Sequence, residues 1–88
     1  MTYEYVVPAR VERYVSRLDP RRQTEIALRL RALCNDPYSH DISKALHGRL
    51  SGTRTSELGG FRIIYEVDDV IRVLEVVDIG PRGDIYKR

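Results

Sequence analysis

Three side chains in the C-terminal third of the chain, Arg62, Arg82 and Tyr86, are of types that can work on a phosphodiester. A guanidinium presents a planar fork that meets two phosphate oxygens at once. A tyrosine ring can stack on a base while its hydroxyl remains a polar handle. All three fall within GGFRIIYEVDDVIRVLEVVDIGPRGDIYKR, which reads as a strand, a tight turn, a second strand and a short basic tail, an order that brings them near one another. Glycines flanking Pro81-Arg82 allow a sharp bend that would hold Arg82 over the sheet end; a flexible cationic tail is the alternative. No Cys, His or acidic spacing completes a metal site.

The elements that must position these residues can be read from the pattern. Tyr3 to Val7 is short and rich in Tyr and Val, which suits a first strand. From Pro8 to Leu18 the apolar positions Val11, Tyr14, Val15 and Leu18 recur at helical spacing, with Arg10, Arg13 and Arg17 opposite. Asp19-Pro20 is a start signal for a second helix running to about Cys34, with Ile26, Ala27, Leu30, Leu33 and Cys34 as its buried stripe. Asn35-Asp36-Pro37 stops it, so the helices form a hairpin. A polar loop then leads through Lys44 to Gly48 into three antiparallel strands, Thr53 to Leu58, Phe61 to Val67 and Val70 to Asp78, with turns at Gly59-Gly60 and Asp68-Asp69. The expected fold is α+β: the N-terminal strand and helical hairpin packed on one face of an antiparallel sheet, the other face open, in a single domain over residues 1–88.

The turns also set a register. Val67 is expected opposite Val70, Tyr65 opposite Arg72, Ile63 opposite Leu74 and Phe61 opposite Val76, an apolar face that covers the helices. Arg54 would join that side beside Tyr65, where it and Arg72 could stack on the ring. The open face then carries Thr53, Thr55 and Glu57, next Arg62, Ile64 and Glu66, and finally Ile71, Val73, Glu75 and Val77, so that Arg62 falls between Glu57 and Glu75. One reading is a charged site in which Arg62 grips a phosphate and a carboxylate takes a proton; the other is a cross-strand ion-pair row. The apolar residues of this face suggest a partner covering part of it.

Size and composition bound the rest. A chain of 88 residues buries only about 60% of the surface its unfolded form exposes, so a stabilising partner fits its thin margin. Lone Cys34 cannot form an internal disulfide, and no run approaches a membrane span or a signal peptide, which predicts a soluble cytoplasmic protein. The net charge of +2 permits nucleic-acid binding without advertising it. His40 and His47 are separated by a loop and are set aside as catalytic or metal residues, and Cys34 reads as a small core residue. Arg10, Arg13, Arg17, Arg21, Arg22, Arg29 and Arg31 read as a solvated face or as an electrostatic footprint for RNA.

The order of elements, together with LHGRLSG before the sheet, GGFRIIYEVDD within it and IGPRGDIYKR at the end, resembles the RelE/ParE superfamily of toxins from bacterial type II toxin–antitoxin pairs. The resemblance covers essentially the whole chain and implies a fold similar to small microbial ribonucleases. It also implies ribosome-dependent, metal- and cofactor-free cleavage of messenger RNA, with an adjacent-encoded, small acidic antitoxin as partner. Matched by position, Arg62 corresponds to the family's phosphate-gripping arginine and Arg82 to the basic residue that stabilises the leaving side or acts as its acid. Tyr86 matches the terminal aromatic that orients a base. Lys44 and Arg49, around the loop before the sheet, are candidate RNA contacts, as are Arg54, Lys87 and Arg88. Active RelE members carry Lys or Arg on the open face of the strand before the glycine turn, where this chain has Thr55 and Glu57. Glu57 or Lys44 is then the candidate proton acceptor. That departure keeps a second reading, a ParE-like inhibitor of DNA gyrase without nuclease chemistry, and a third, a degenerate member that only binds its antitoxin.

Overall fold

Two helices lie across one face of a five-stranded sheet in the computed structural model, which describes residues 2–81. The strands are β1 (Glu4–Val6), β2 (Lys44–Ala45), β3 (Arg54–Leu58), β4 (Phe61–Asp68) and β5 (Val73–Pro81), in spatial order β1-β5-β4-β3-β2. Helices α1 (Ala9–Ser16) and α2 (Pro20–Asn35) form the expected hairpin. Asp19 caps α2, its carboxylate accepting the Arg22 N–H at 3.0 Å, and Pro20 opens the first turn. None of the described helices is long and apolar enough to cross a membrane.

The apolar stripe read from the sequence becomes the core. Val11 of α1 and Ile26, Leu30 and Leu33 of α2 meet Ile63 and Tyr65 of β4 and Leu74, Val76 and Ile79 of β5. Cys34 is fully buried, and burial pushes its thiol up from its ordinary value. Ala27, placed on that stripe by its spacing, is exposed.

The α+β class holds, but the sheet is mixed rather than wholly antiparallel. β1 pairs in parallel with β5, Tyr5 opposite Leu74, which adds a strand beyond the three of the second half. β2 adds another where a loop was expected, Lys44 opposite Thr55. The turn after β4 is also longer than a two-residue link. The Asp68 carboxylate accepts the N–H groups of Val70 and Ile71, and Arg72 takes a left-handed φ of 59°, so β5 starts at Val73 rather than Val70.

This turn replaces each pairing expected for β4. Val67 lies opposite Leu74, not Val70, and Tyr65 lies opposite Val76, not Arg72. A register shift between Ile64 and Tyr65 then reverses the parity of β5, so Ile63 faces Ile79 rather than Leu74 and Phe61 faces Pro81 rather than Val76. Ile79 consequently enters the core, and Arg62 lies opposite Gly80 instead of Glu75. Glu75 is instead opposite Glu66. Ile71 leaves the sheet for the turn, where it and Val70 are exposed. The far face is less open than expected, because Thr53, Thr55, Ile64 and Asp78 are all buried.

Candidate functional site

The β3–β4 hairpin positions the central pair. Glu57 and Arg62 are register partners on the face away from the helices, and a guanidinium nitrogen of Arg62 lies 2.6 Å from the Glu57 carboxylate. The Arg62 side chain is only 12% exposed and that of Glu57 45%, so the carboxylate reaches solvent while the cation is largely enclosed. Gly80, on the other flank of Arg62, contributes no side chain at that rung.

Two residues back along β3, Lys44 and Thr55 are partners on the same face. A cleft of about 150 Å³ runs between β2 and β3 there, lined by Asp41, Ser43, Lys44, Thr55 and Glu57 among others. The Thr55 hydroxyl is buried and has no hydrogen-bond partner among the described residues. An enclosed guanidinium, an exposed carboxylate and an exposed lysine therefore share one corner of the sheet, chemical types suited to meeting a phosphodiester and accepting a proton.

The start of β2 is fixed by a buried hydroxyl network. Ser43 bonds the Tyr65 hydroxyl, Tyr65 donates to the Pro37 carbonyl at 2.7 Å, and Arg54 Nε donates to Ser43 Oγ at 2.8 Å. Burial pushes the Tyr65 phenol up. Arg54 is thus committed to the helix side, with its guanidinium over the Tyr38 ring rather than over Tyr65. Arg72 likewise stacks over Tyr3, not Tyr65.

At the opposite end of the sheet Asp69 accepts hydrogen bonds from Tyr3 and Tyr38. These bonds, with that from Tyr3 the stronger influence, hold its carboxyl below the usual range, and they push the Tyr38 phenol up to about 12. The cluster ties β1, the loop after α2 and the β4–β5 turn together.

The sequence-predicted residues divide accordingly. Glu57, Arg62 and Lys44 come together; Arg54 does not join them; Arg49 sits exposed in a short 3₁₀ turn, Gly48–Leu50; His40 and His47 are exposed. Arg82, Tyr86, Lys87 and Arg88 lie outside the described residues. Sequence reasoning missed the hold that α2 has on the β3–β4 hairpin through Arg22 and Arg29. Their seven-residue spacing, two turns along one helix face flanking the buried stripe, was the available signal.

The comparisons agree with this architecture. The toxin–antitoxin complex RelBE2 from Mycobacterium tuberculosis contains a chain that superposes with a TM-score of 0.81 at 22% identity, covering 93% of this chain and 100% of that one. The archaeal RelE–RelB complex from Pyrococcus horikoshii gives 0.80 at 22% identity over 96% of this chain and 99% of that one. The isolated E. coli RelE toxin gives 0.75 at 20% identity over 97% and 92%. In sequence, 47 residues are 32% identical to Toxin RelG of Mycobacterium tuberculosis, 53% of this chain and 54% of that relative, so the match spans about half the relative's length. Residues 9–86 match the family described as the ParE toxin of the type II toxin–antitoxin system parDE, and the chain belongs to that family, within the RelE/ParE superfamily of toxins.

Proposed function

We propose that this toxin is a ribosome-dependent endonuclease of messenger RNA, and that its partner in the cell is a cognate antitoxin. The observation that carries the reading is the Glu57–Arg62 pair at 2.6 Å beside the cleft that Lys44 lines, on a RelE-like fold. The ribose 2′-hydroxyl attacks the adjacent phosphorus and Glu57 takes its proton. The bond to the 5′-oxygen breaks, leaving a cyclic phosphate and a 5′-hydroxyl end once that oxygen is protonated. Arg62 stabilises the extra negative charge of the five-coordinate phosphorus. Arg82 serves the leaving oxygen and Tyr86 orients a base, the roles that the family resemblance gives those positions. Lys44, which lines the same cleft as Glu57, holds the next phosphate. Support for an antitoxin comes from the similar structures, several of which are toxin–antitoxin complexes.

A second reading, inhibition of DNA gyrase without nuclease chemistry, is favoured by one feature: the open face of β3 offers Thr55 and Glu57 where cations would serve RNA, and Glu57 neutralises Arg62. Brief induction in bacteria without antitoxin separates the two, with new messenger 5′ ends mapped beside an assay for gyrase-linked DNA breaks. Cuts within translated frames, lost on Arg62→Ala, support the endonuclease; intact messenger with DNA breaks overturns it.

A further inference from the structure

Two arginines of α2 reach past the core to the hairpin that carries the Glu57–Arg62 pair. Arg29 Nη1 donates to the Ser56 hydroxyl and to the backbone carbonyl of Glu57 itself, each at 2.8 Å. Two helical turns earlier, Arg22 Nη1 donates to the Gly59 carbonyl at 2.9 Å, and its guanidinium lies over the Phe61 ring, 5.1 Å from the centroid. The helix therefore holds the last residues of β3, the glycine turn and the first residue of β4. Ser56 is buried, so the Arg29 contact is partly desolvated and tighter than an exposed one. The turn is shaped around this grip. A Cβ on Gly59, whose φ is 52°, would stand 2.8 Å from Arg22 Nη1.

A two-residue glycine turn between short strands is the flexible part of a sheet, because both glycines lack side-chain restraint. Gly59 and Gly60 have left-handed φ values, and Glu57 and Arg62 stand three residues either side of the link between them. Any twist of this hairpin changes the distance between the carboxylate and the guanidinium. A helix fixed in the core, bonded to the backbone of Glu57, removes that freedom.

From this we infer that Arg29 and Arg22 are positioning residues: they set the Glu57–Arg62 pair through the hairpin backbone, Arg29 at Glu57 and Arg22 at the turn. Neither side chain lies on the face that would meet substrate. As far as the consequence for catalysis goes, the inference rests on the endonuclease reading; the geometry of the pair can be read without it.

The test uses the full chain with Arg29→Met, which keeps the apolar stem and removes the donors, and Arg29→Lys, whose ammonium can make both bonds because a single nitrogen of Arg29 makes them. The readout is hydrogen exchange of the Arg62 guanidinium by NMR. Arg29→Met is expected to speed that exchange severalfold while the core amides keep their protection, and Arg29→Lys to restore much of it. In a Glu57→Gln background, Arg29→Met should add nothing further. Unchanged Arg62 exchange in Arg29→Met, or an additive effect in the Glu57→Gln background, overturns the inference. If Arg29→Met does not fold, Arg22→Met and Gly59→Ala put the same question at the turn: faster Arg62 exchange supports the clamp and unchanged exchange overturns it. Messenger cleavage by Arg29→Met should fall by about 10- to 100-fold with ribosome binding retained, the upper figure being what about 1 Å of misplacement costs. Absence of cleavage by the unaltered chain counts against the endonuclease reading alone, because the exchange measurement still decides the clamp.

Discussion

Glu57 and Arg62 face each other across the second rung after the glycine turn, with a carboxylate oxygen 2.6 Å from a guanidinium nitrogen. The asymmetry of their exposure matters. Arg62 is largely enclosed in the sheet surface, whereas Glu57 keeps solvent contact. Under the endonuclease reading, an incoming phosphate would compete with Glu57 for the guanidinium and leave the carboxylate free to act as a base.

Glu57→Gln tests that role. The amide is isosteric and cannot take the proton, so cleavage should fall at least about 100-fold while ribosome binding persists. Stability should change by less than about 1 kcal/mol, since the side chain is 45% exposed and half-solvated ion pairs are weak. Faster cleavage by the Gln variant would mean that Glu57 only restrains Arg62.

Arg62→Lys keeps the charge and loses the fork. Two-oxygen contact with a phosphate is then replaced by a point charge, and the cleavage rate should drop about 10- to 100-fold, with Arg62→Ala lower still. Single-turnover cleavage on programmed ribosomes gives the comparison. A Lys variant as fast as the unaltered chain would remove Arg62 from the reacting centre.

How much of this was legible follows from which signals are local. Helix α2 was readable because Asp19-Pro20 and Asn35-Asp36-Pro37 mark its ends and its stripe keeps helical spacing. The Glu57–Arg62 pairing was readable because Gly59-Gly60 fixes the register within a few residues. The neighbour of Arg62 on β5 was not. It depends on the length of a turn set by Asp68 side-chain bonds and on a parity change near Ile64, both invisible to an alternation pattern. Parallel pairing of β1 with β5 joins residues about 70 positions apart, with nothing local to announce it. Arg22, Arg29 and Arg54 looked like solvent-facing or RNA-facing cations because composition cannot distinguish a free guanidinium from one bonded to backbone or to Ser43.

Tyr65→Phe tests the polar network behind Lys44. The ring is fully buried and its hydroxyl donates to the Pro37 carbonyl, which also accepts from Ser43 Oγ at 3.0 Å, so deletion removes one of two donors to that carbonyl. A loss of about 0.5–1.5 kcal/mol is expected by urea unfolding, the net contribution of a typical intramolecular hydrogen bond. By comparison Leu33→Ala, which only opens a cavity, should cost about 2–5 kcal/mol. A neutral Tyr65→Phe would show that water replaces the hydroxyl and that the network does not fix β2.

The Asp69 cluster makes stability depend on pH at both extremes. Its carboxyl is depressed by the Tyr3 and Tyr38 hydroxyls, so the stabilisation is complete above the ordinary Asp value near 3.9 and is lost as pH falls through the depressed one. The Tyr38 phenol is raised from 10.0 to about 12, so its share is complete below 10 and is lost as pH rises toward 12. Asp69→Asn weakens both bonds. The difference in urea midpoint between the unaltered chain and Asp69→Asn should therefore be flat from about pH 5 to pH 9 and close at either end. Tyr38→Phe should shrink the alkaline limb, part of which Tyr3 keeps because its phenol is also raised by Asp69, and leave the acid limb, which Tyr3 still supports. A midpoint difference that stays constant down to about pH 2 would mean that the hydrogen bonds to Asp69 do not favour its charged form, and that the turn is held by Asp68 and by packing alone.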